Sequence, residues 1–347
     1  MILFENDYQE GAHPQILERF VQTNLIQTIG YSCDRYCDAA RKIIKNICKA
    51  PHSDVHFFVG GTQTNTTVIA SVLRPHQGVL AAETGHINVH ESGAIENTGH
   101  KVLALPTSYG KLTALQIQTA HDNHWNDETH EHMVQPGMVY ISFPTENGTL
   151  YSKKELEEIS ATCKACHLVL YVDGARMGYG IMAANNDVTL ADFTRLTDFF
   201  YIGGTKVGAL FGEALLINNE TYQEDFRYQI KQRGGLLAKG RVLGIQFLTL
   251  FENGLYFDIA QHANIQAIRL KKAFVTQGYS LLYDSFTNQQ FPILSDHQYK
   301  ALGEHYLFSH WCKTDEHHTA VRFCTSWATK SKDVDTLIKD IEKVANT

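Results

Sequence analysis

The stretch YIGGTKVGALFG places Lys206 directly after an apolar run, among glycines and small residues and with no adjacent acidic residue. Poor solvation lowers the pKa of a lysine and makes it a nucleophilic amine, as Schiff-base chemistry requires. A lysine flanked by glycines is more often only a turn residue. The interpretation of Lys206, and of Thr205 before it, therefore depends on what three other motifs supply.

The motif YVDGARMGYG ends another apolar run with Asp173, and Arg176 follows it. A carboxylate after buried residues is costly unless a cation pairs with it. An internal ion pair between the two residues is one interpretation. The other is that Asp173 keeps the ring nitrogen of a ligand protonated while Arg176 binds a carboxylate or a phosphate.

The motif GGTQTNTT leads from a third apolar run into a helical pattern. The free N–H groups at a helix N-terminus, together with the Thr62 hydroxyl group, are suited to holding a phosphate. The motif lacks the lysine of a P-loop and the G-x-G-x-x-G spacing of a dinucleotide site. A nucleotide-binding domain built on this motif therefore stays a minor alternative.

The motif GHINVHESGA places His86 at the start of the next predicted helix. An imidazole ring there is either a solvated cap or a flat surface on which a heteroaromatic ligand stacks. His90 and Glu91 follow one turn later on the same predicted helix, close enough to act as acid or base.

Seven apolar runs between residues 54 and 217 alternate with helical patterns, which predicts an α/β fold with a mainly parallel seven-stranded sheet flanked by helices. The last two runs are joined only by TKVGALFG, too short for a crossover helix, so the last strand is expected to be antiparallel. Long helical patterns and short strands then predict a smaller C-terminal α+β domain. The expected boundaries are an N-terminal arm and helix over 1–50, a large domain over 51–245 and a small domain over 246–347.

All four motifs fall at the predicted carboxyl ends of strands, where open α/β sheets bind ligands. Together they meet the needs of pyridoxal 5'-phosphate (PLP). Its aldehyde requires a lysine, its ring nitrogen an acid, its ring face a flat neighbour and its phosphate a helix N-terminus. The sequence therefore predicts a PLP site, and no metal is expected.

The motifs GGTQTN, GHINVHESGA, VDGARMGYG and GGTKVGALFG resemble those of fold-type I PLP-dependent enzymes, most closely the threonine aldolase (β-eliminating lyase) family. The resemblance extends from FENDY to VRFCTSW. It implies the PLP-dependent transferase-like fold and an aldehyde-lyase that cleaves L-threonine or L-allo-threonine to glycine and acetaldehyde by retro-aldol chemistry. A β-eliminating lyase acting on other amino acids and a non-catalytic PLP-binding homologue remain as alternatives.

The resemblance also assigns roles to residues. It implies that Lys206 forms the Schiff base with PLP, that Asp173 pairs with the pyridine nitrogen and that His86 stacks on the ring. The phosphate would be held by Gly61, Thr62 and Gln63, with Thr205 also on the cofactor side.

The substrate carboxylate would be bound by Arg176 and Arg322, with Asn6 where family members usually carry a small polar residue. Members of the family form dimers or tetramers with sites between subunits. A basic residue of KQRGGLLAKG would then reach the phosphate bound in a neighbouring subunit. The segment offers Lys231, Arg233 and Lys239, and Lys239 is the chosen candidate. Solvated surface is an equally good interpretation of this segment.

Two departures from the family leave the substrate's side chain open. Where other members carry a histidine in an ENTH-like turn, this chain has Glu146 and Asn147. His90 stands where an aromatic residue is expected. Both positions fall where a β-hydroxyl group or a side chain of the substrate should lie.

Composition favours small-molecule chemistry in the cytoplasm. A net charge of −7 without a basic, aromatic-rich cluster argues against nucleic acid as a partner. No apolar run has the length of a membrane helix, and MILFENDYQE lacks the features of a signal peptide. Seven cysteines are expected to be reduced thiols.

Two further patterns have simple interpretations. The C-x-x-C-H spacing of Cys163, Cys166 and His167 matches covalent haem attachment, but it closes an amphipathic helix, and two thiols facing the core are the preferred interpretation. The histidine-rich segment 121–133 matches no standard metal spacing and is expected to be a solvated loop before a strand.

Overall fold

The computed structural model describes residues 1–345 of the 347. The strands are β1 (Ile2–Leu3), β2 (Asp54–Phe58), β3 (Gln77–Ala82), β4 (Val102–Leu105), β5 (Gln135–Ser142), β6 (Val169–Asp173), β7 (Phe199–Gly203), β8 (Glu213–Ile217), β9 (Gln289–Gln290), β10 (Ile293–Ser295), β11 (Tyr306–Leu307), β12 (Ser309–Lys313) and β13 (His318–Cys324).

The α-helices are α1 (Pro14–Thr23), α2 (Arg35–Ile47), α3 (Gly61–Val72), α4 (His86–Val89), α5 (Ala114–Trp125), α6 (Lys153–Ala165), α7 (Met177–Ile181), α8 (Leu190–Leu196), α9 (Phe226–Gln232), α10 (Arg241–Glu252), α11 (Leu255–Thr276), α12 (Asp296–Gly303) and α13 (Ser331–Ala345). Single 3-10 turns cover Glu96–Thr98, His130–His132 and Glu220–Tyr222.

The central sheet has seven strands in the order β2-β8-β7-β6-β5-β3-β4. The strands β3 to β7 pair in parallel, whereas β8 runs antiparallel to both β7 and β2. The prediction of a mainly parallel sheet with an antiparallel last strand is therefore confirmed. The short link between β7 and β8 explains the reversal, because a parallel return needs a crossover of a dozen residues or more.

Both faces of the central sheet are covered by helices, which is why its strands read as continuous apolar runs. One core packs side chains such as Ile44 of α2 and Phe247 of α10 against Val172 and Leu216 of the sheet. The core on the opposite face includes Val68 and Ile69 of α3 and Phe226 of α9. The sheet is thus held rigid between two layers, and the carboxyl ends of its parallel strands form one edge.

A smaller antiparallel sheet in the C-terminal part pairs β13 with β9, β10 and β12. A third core beside it includes Phe274 of α11, Phe323 of β13 and Val334 of α13. The N-terminal strand β1 pairs in parallel with β11, so the first residues of the chain pack against this part. The predicted small C-terminal unit is confirmed as a fold feature; its boundaries stay a prediction.

The histidine-rich segment was predicted to be a loop, and this is wrong for its first part. Helix α5 continues to Trp125 and therefore contains His121 and His124. The rings of His124, Trp125 and His130 contact one another at centroid distances of 5.1–5.7 Å, which stabilises the helix end. Within residues 1–345, no group of three or more His, Cys, Asp or Glu side chains is arranged to hold a metal ion.

The long helical pattern after residue 221 is interrupted. Helix α9 ends at Gln232 and α10 begins at Arg241, because Gly234 takes a left-handed conformation with φ of 71° that a helix cannot continue through. By contrast, α6 begins with a complete capping box at Ser152 and ends as expected. Its thiols Cys163 and Cys166 are buried and free.

Candidate active site

A cavity of about 510 Å³ opens at the carboxyl ends of the central strands. That volume lies in the range of small-molecule sites. The wall contains these residues expected from sequence: Gly61, Thr62, His86, His90, Asp173, Arg176, Thr205, Lys206 and Arg322. It also contains residues that were not expected as ligand contacts: Tyr8, Ser142, Tyr201, Glu213 and Trp311.

One end of the cavity is the N-terminus of α3. The residue before the helix, Gly60, offers no side-chain cap, and the first helical bond runs from the Thr64 N–H group to the Gly60 carbonyl oxygen. The N–H groups of the first turn are therefore available to an anion. A Cβ atom at Gly61 would lie 2.9 Å from the Tyr201 hydroxyl oxygen, so only glycine allows this close approach.

The side chain of Gln63 does not line the cavity, although its role in holding phosphate was predicted. Its Oε1 accepts from the Val59 N–H group at 3.3 Å, and its Nε2 donates to the Arg233 carbonyl oxygen at 3.1 Å. The side chain thus braces the turn from behind, which leaves only the Gln63 backbone N–H group as a candidate phosphate donor.

Lys206 lies in the turn between β7 and β8 and lines the cavity. Burial lowers the pKa of its amine, and the positive charge of Arg176 lowers it further. This is the state of a nucleophilic lysine that the sequence predicted. No acid is adjacent in sequence, but the structure brings Glu213 of β8 to the same wall.

Thr205 does not present a free hydroxyl group to a cofactor. Its Oγ1 donates to Glu213 Oε1 at 2.8 Å and accepts from the Gly212 N–H group at 2.9 Å. The turn that carries Lys206 is fixed in this way.

Burial raises the pKa of Glu213 to about 8, and its Oε2 is buried without a partner among residues 1–345.

Asp173 ends β6 and is 4% exposed. The expected alternative of an ion pair with Arg176 is wrong. Its two oxygens instead accept from the Tyr201 hydroxyl at 2.5 Å, the Ala175 N–H group at 2.9 Å, the Tyr140 hydroxyl at 2.7 Å and the Asn65 amide at 3.2 Å. Burial raises the pKa of Tyr140 and Tyr201 far above the usual value, so both phenols act as donors.

His86 faces the cavity with its side chain about one-third exposed. Its Nδ1 lies 2.7 Å from Glu91 Oε1, and its backbone N–H group donates to Glu146 Oε1 at 3.0 Å. The prediction that Glu91 shares a helix with His86 is wrong, because α4 ends at Val89. Glu91 is buried behind His86 and orients the ring instead of lining the cavity.

His90 caps the end of α4 and lies in the cavity wall, its ring centroid 5.6 Å from that of His86. Burial lowers the pKa of His90, and nearby positive charges such as that of Arg322 lower it further. Burial also shifts the pKa of Glu146, in this case upward, and Glu146 accepts a hydrogen bond from the Ser142 hydroxyl group at 2.7 Å. A neutral imidazole at position 90 is suited to accepting a proton.

Arg176 forms a bidentate ion pair with Asp7, with Nε and Nη2 at 2.8 and 2.9 Å from the two carboxylate oxygens. Asp7 is fully buried and also accepts from the Asn288 amide. Burial alone would raise the pKa of Asp7. The positive charges of Arg176 and Lys206 outweigh this effect, and the pKa lies below its usual value. Of the three guanidinium nitrogens of Arg176, Nη1 is the one that makes no hydrogen bond within residues 1–345.

Arg322 contacts only neutral acceptors: Gln289 Oε1 at 3.1 Å, the Glu5 carbonyl oxygen at 3.0 Å and Ser309 Oγ at 3.3 Å. Its guanidinium lies 5.6 Å from the centroid of Trp311. Its Nε is buried and has no partner within residues 1–345. A guanidinium without an acidic partner in a cavity wall is suited to a carboxylate.

Besides Gln63 and Glu91, two further predicted site residues, Asn6 and Lys239, are not in this wall. The side chain of Asn6 accepts from the Tyr8 N–H group at 3.0 Å and so shapes the arm that brings Tyr8 to the cavity. Lys239 is exposed and is not part of the cavity of its own chain. Its predicted contact with a neighbour's phosphate stays a prediction.

The residues fit PLP. The uncapped start of α3 matches a phosphate, Asp173 offers a carboxylate fixed by four donors, His86 offers a flat ring and Lys206 a desolvated amine. The guanidinium of Arg322, which has no acidic partner within residues 1–345, lines the same cavity and would take the carboxylate of an amino acid. The fit rests on these groups lining one cavity.

Comparison with known proteins identifies the family. The model of the family described as beta-eliminating lyase matches residues 28–296. The low specificity L-threonine aldolases of Pseudomonas aeruginosa and of a Pseudomonas sp. strain are 30% and 31% identical to this chain. Each match covers 98% of this chain and 97% of the relative.

Solved structures agree with this result. A threonine aldolase of Leishmania major is 43% identical, with a TM-score of 0.96 over 99% of this chain and 100% of its own. A histidinol-phosphate aminotransferase of Clostridium acetobutylicum, 13% identical with a TM-score of 0.75, shares the fold. The predicted fold-type I architecture is confirmed, and the chain belongs to the beta-eliminating lyase family, with threonine aldolases as its relatives.

Proposed function

We propose that this chain is a PLP-dependent aldehyde-lyase that cleaves L-threonine and L-allo-threonine to glycine and acetaldehyde. One observation carries the proposal. A single cavity is lined by the buried amine of Lys206, the carboxylate of Asp173, the uncapped start of α3 and the guanidinium of Arg322, which has no acidic partner within residues 1–345. The similarity to threonine aldolases over nearly the whole chain supports the same reaction.

PLP, when bound, supplies an electron sink for the bond that breaks. Lys206 would hold its aldehyde carbon, and Asp173 its ring nitrogen. His86 would cover the ring face, and the N–H groups of Gly61, Thr62 and Gln63 would bind the phosphate.

The arginines orient the substrate. Arg322 would bind the substrate carboxylate with its guanidinium, and Arg176, whose Nη1 makes no hydrogen bond within residues 1–345, lines the same cavity as a second donor. Two fixed donors hold a carboxylate in one orientation and thereby select one conformation about the Cα–Cβ bond. Trp311 stacks near Arg322 and reduces its access to water.

The pair of His86 and His90 would remove the proton of the β-hydroxyl group. Burial and the neighbouring cations lower the pKa of His90, which favours the neutral imidazole that a base requires. Glu146 lies beside the two histidines and accepts a hydrogen bond from the Ser142 hydroxyl group. Other members of the family were expected to carry a histidine in this turn. These side chains would set the preference between the two configurations of the β-carbon.

Product analysis distinguishes the proposed reaction from its rivals. Purified protein loaded with PLP is incubated with L-threonine, and we expect glycine and acetaldehyde in equal amounts. Ammonia and an oxo acid would instead indicate the β-eliminating alternative, and binding of PLP without any product would indicate a non-catalytic homologue.

Lys206 is tested by its replacement with alanine. We expect Lys206→Ala to lose the yellow absorbance that PLP gains when it is joined to a lysine, and to form no glycine. A variant whose absorbance is unchanged would refute the assignment. Thr221→Ala, in an exposed 3-10 turn that does not line the cavity, serves as a matched control that should retain both properties.

We further propose a homodimer or homotetramer with sites at the subunit interface. Exposed apolar side chains of the N-terminal region support this, since Val21, Leu25 and Ile29 are each more than 70% exposed in the single chain. Exposed Lys239 would then reach the phosphate of a neighbour. Sedimentation and the PLP affinity of Lys239→Ala test the two parts.

A cytoplasmic location is proposed from the cysteines. All seven are free thiols, and reduced thiols are typical of that compartment. No helix within residues 1–345 has the length and apolar character needed to cross a bilayer. Fractionation of cells that express the full chain tests the location.

A further inference from the structure

Asn65 lies in α3, one turn after the N-terminus that faces the cavity, and its side chain is completely buried. Its Oδ1 lies 2.7 Å from the Tyr171 hydroxyl oxygen. Burial raises the pKa of Tyr171 far above the usual value, and the negative charge of Asp173 raises it further, so this phenol is always a donor. A donor at Oδ1 settles the orientation of the amide, because only the carbonyl oxygen can accept.

The Nδ2 atom of Asn65 therefore faces the other way, toward two carboxylates. It donates to Glu91 Oε1 at 2.7 Å and to Asp173 Oδ2 at 3.2 Å. The amide has two hydrogens, and each is used by one acid. Asn65 is thus the one side chain within residues 1–345 that joins the acid predicted for the cofactor ring to the acid behind His86.

The two acids depend on this amide to different extents. Asp173 has three other donors, from Tyr140, Tyr201 and the Ala175 backbone. The side chain of Glu91 has only His86 besides Asn65, and its Oε2 is buried without a partner within residues 1–345. Loss of the amide would therefore affect Glu91 much more than Asp173.

The hydrogen bonding of Glu91 decides which nitrogen of His86 carries the proton. A carboxylate that faces Nδ1 accepts a hydrogen from it, so the neutral ring has its lone pair at Nε2. The ring lines the cavity, where such a lone pair can accept a proton from a substrate. A protonated Glu91 would instead donate to Nδ1 and place the hydrogen on Nε2.

We propose that Asn65 is a positioning residue for the proposed reaction, and that its amide bridge to Glu91 and Asp173 keeps His86 in the tautomer with hydrogen on Nδ1 and a free Nε2. Without the bridge, Glu91 loses one of two donors and faces the charge of Asp173 with no hydrogen between them. The carboxylate is then no longer fixed against Nδ1, and the hydrogen of the His86 ring is no longer held on that nitrogen.

The test uses the full-length, PLP-loaded protein labelled with ¹⁵N-histidine. Two-bond ¹H–¹⁵N spectra show which ring nitrogen of each histidine carries a hydrogen, and His86→Gln assigns the signal. In the unchanged protein we expect Nδ1 of His86 protonated and Nε2 free. In Asn65→Leu, of similar size, we expect the reversed or a mixed tautomer, and a fall in kcat for L-threonine of about tenfold or more.

Tyr171→Phe is the matched control. It removes one buried hydrogen bond from the same cluster but leaves the Asn65 amide facing the two acids, so the His86 tautomer should be unchanged. Asn65→Ala carries the same prediction as Asn65→Leu if the latter does not fold, because it also removes both donated hydrogens.

Two results would overturn the proposal: the same His86 tautomer in the Asn65 variants as in the unchanged protein, or a reversed tautomer in Tyr171→Phe. The spectra need no turnover. Failure of the proposed function would therefore appear as missing glycine in the unchanged protein, whereas failure of this inference would appear in the nitrogen signals alone.

Discussion

The two arginines of the cavity differ in how their charge is balanced. Arg176 gives two nitrogens to Asp7 and keeps one for the cavity. Arg322 is held by an amide, a carbonyl and a hydroxyl group, and its Nε has no partner within residues 1–345. Arg176 is therefore already neutralised by the fold, whereas the charge of Arg322 is left for a ligand.

This difference separates stability from binding. Breaking a buried ion pair leaves an uncompensated charge, which is expensive for the folded state. Removing a buried cation that has only neutral partners leaves weaker, unpaired acceptors. We expect replacement of Arg176 to be costly mainly for folding, and replacement of Arg322 to be costly mainly for the recognition of a carboxylate.

The largest effect is expected for Arg176→Gln. The substitution leaves the buried carboxylate of Asp7 unpaired, and we expect the free energy of unfolding to fall by about 3–5 kcal/mol. Denaturant unfolding measures it, with Arg322→Gln as the matched control, for which a loss of at most about 1–2 kcal/mol is expected. Equal losses in the two variants would remove the distinction between the arginines.

Next in size is the effect of Arg322→Gln on the substrate. Loss of a charge-assisted contact to the carboxylate is worth about 1.5–3 kcal/mol, so KM for L-threonine should rise about tenfold to 150-fold. Steady-state kinetics measure the change. A KM within a factor of two of the unchanged protein would show that the carboxylate binds elsewhere.

A smaller effect concerns acid stability. The pKa of Asp7 in the folded protein is lowered below its usual value, because the charge of Arg176 outweighs the burial that raises it. Such a group stabilises the fold fully above the unfolded pKa of about 3.9, and this contribution is lost as the pH falls through the lower folded value.

The stability difference between the unchanged protein and Asp7→Asn should therefore narrow as the pH falls below about 4. Unfolding at pH 6, 4 and 3 measures it, and Arg322→Gln should follow the unchanged protein, since its partners do not titrate. A difference that stays constant or widens in acid would contradict the assignment of Asp7.

The smallest effect is expected for Trp311→Leu. The indole lies 5.6 Å from the Arg322 guanidinium and is partly exposed, where a cation–π contact is worth about 0.5–1 kcal/mol. KM for L-threonine should rise about twofold to fivefold, with the free energy of unfolding nearly unchanged. A rise as large as that of Arg322→Gln would mean that the indole itself contacts the substrate.

The elements and strand-end residues of the large sheet could be predicted because their signals are local. Lys206 and Asp173 each follow a continuous apolar run, and the order of the runs places them at one edge. The side-chain alternation of strands also places Tyr171 on the same face as Asp173, a signal that could have indicated the tyrosine cluster.

The partners of the charged residues could not be predicted, since they come from distant parts of the chain. Asp7 is 169 residues from Arg176, and nothing in FENDYQE indicates which acid is buried. Glu213 lies in the strand after Lys206, but only the antiparallel reversal of β8 brings it to the same wall. The end of α4 before Glu91 does have a local signal that the prediction passed over, since Ser92 and Gly93 directly follow Glu91 with left-handed backbone conformations.

The most direct test of the difference between the arginines compares glycine with glycinamide, which lacks the carboxylate. Dissociation constants are measured from the absorbance of the PLP-loaded protein, for the unchanged protein and for Arg322→Gln. We expect the unchanged protein to prefer glycine, and Arg322→Gln to lower that preference about tenfold or more. A preference that is the same in both proteins would contradict the assignment of Arg322 as the carboxylate anchor.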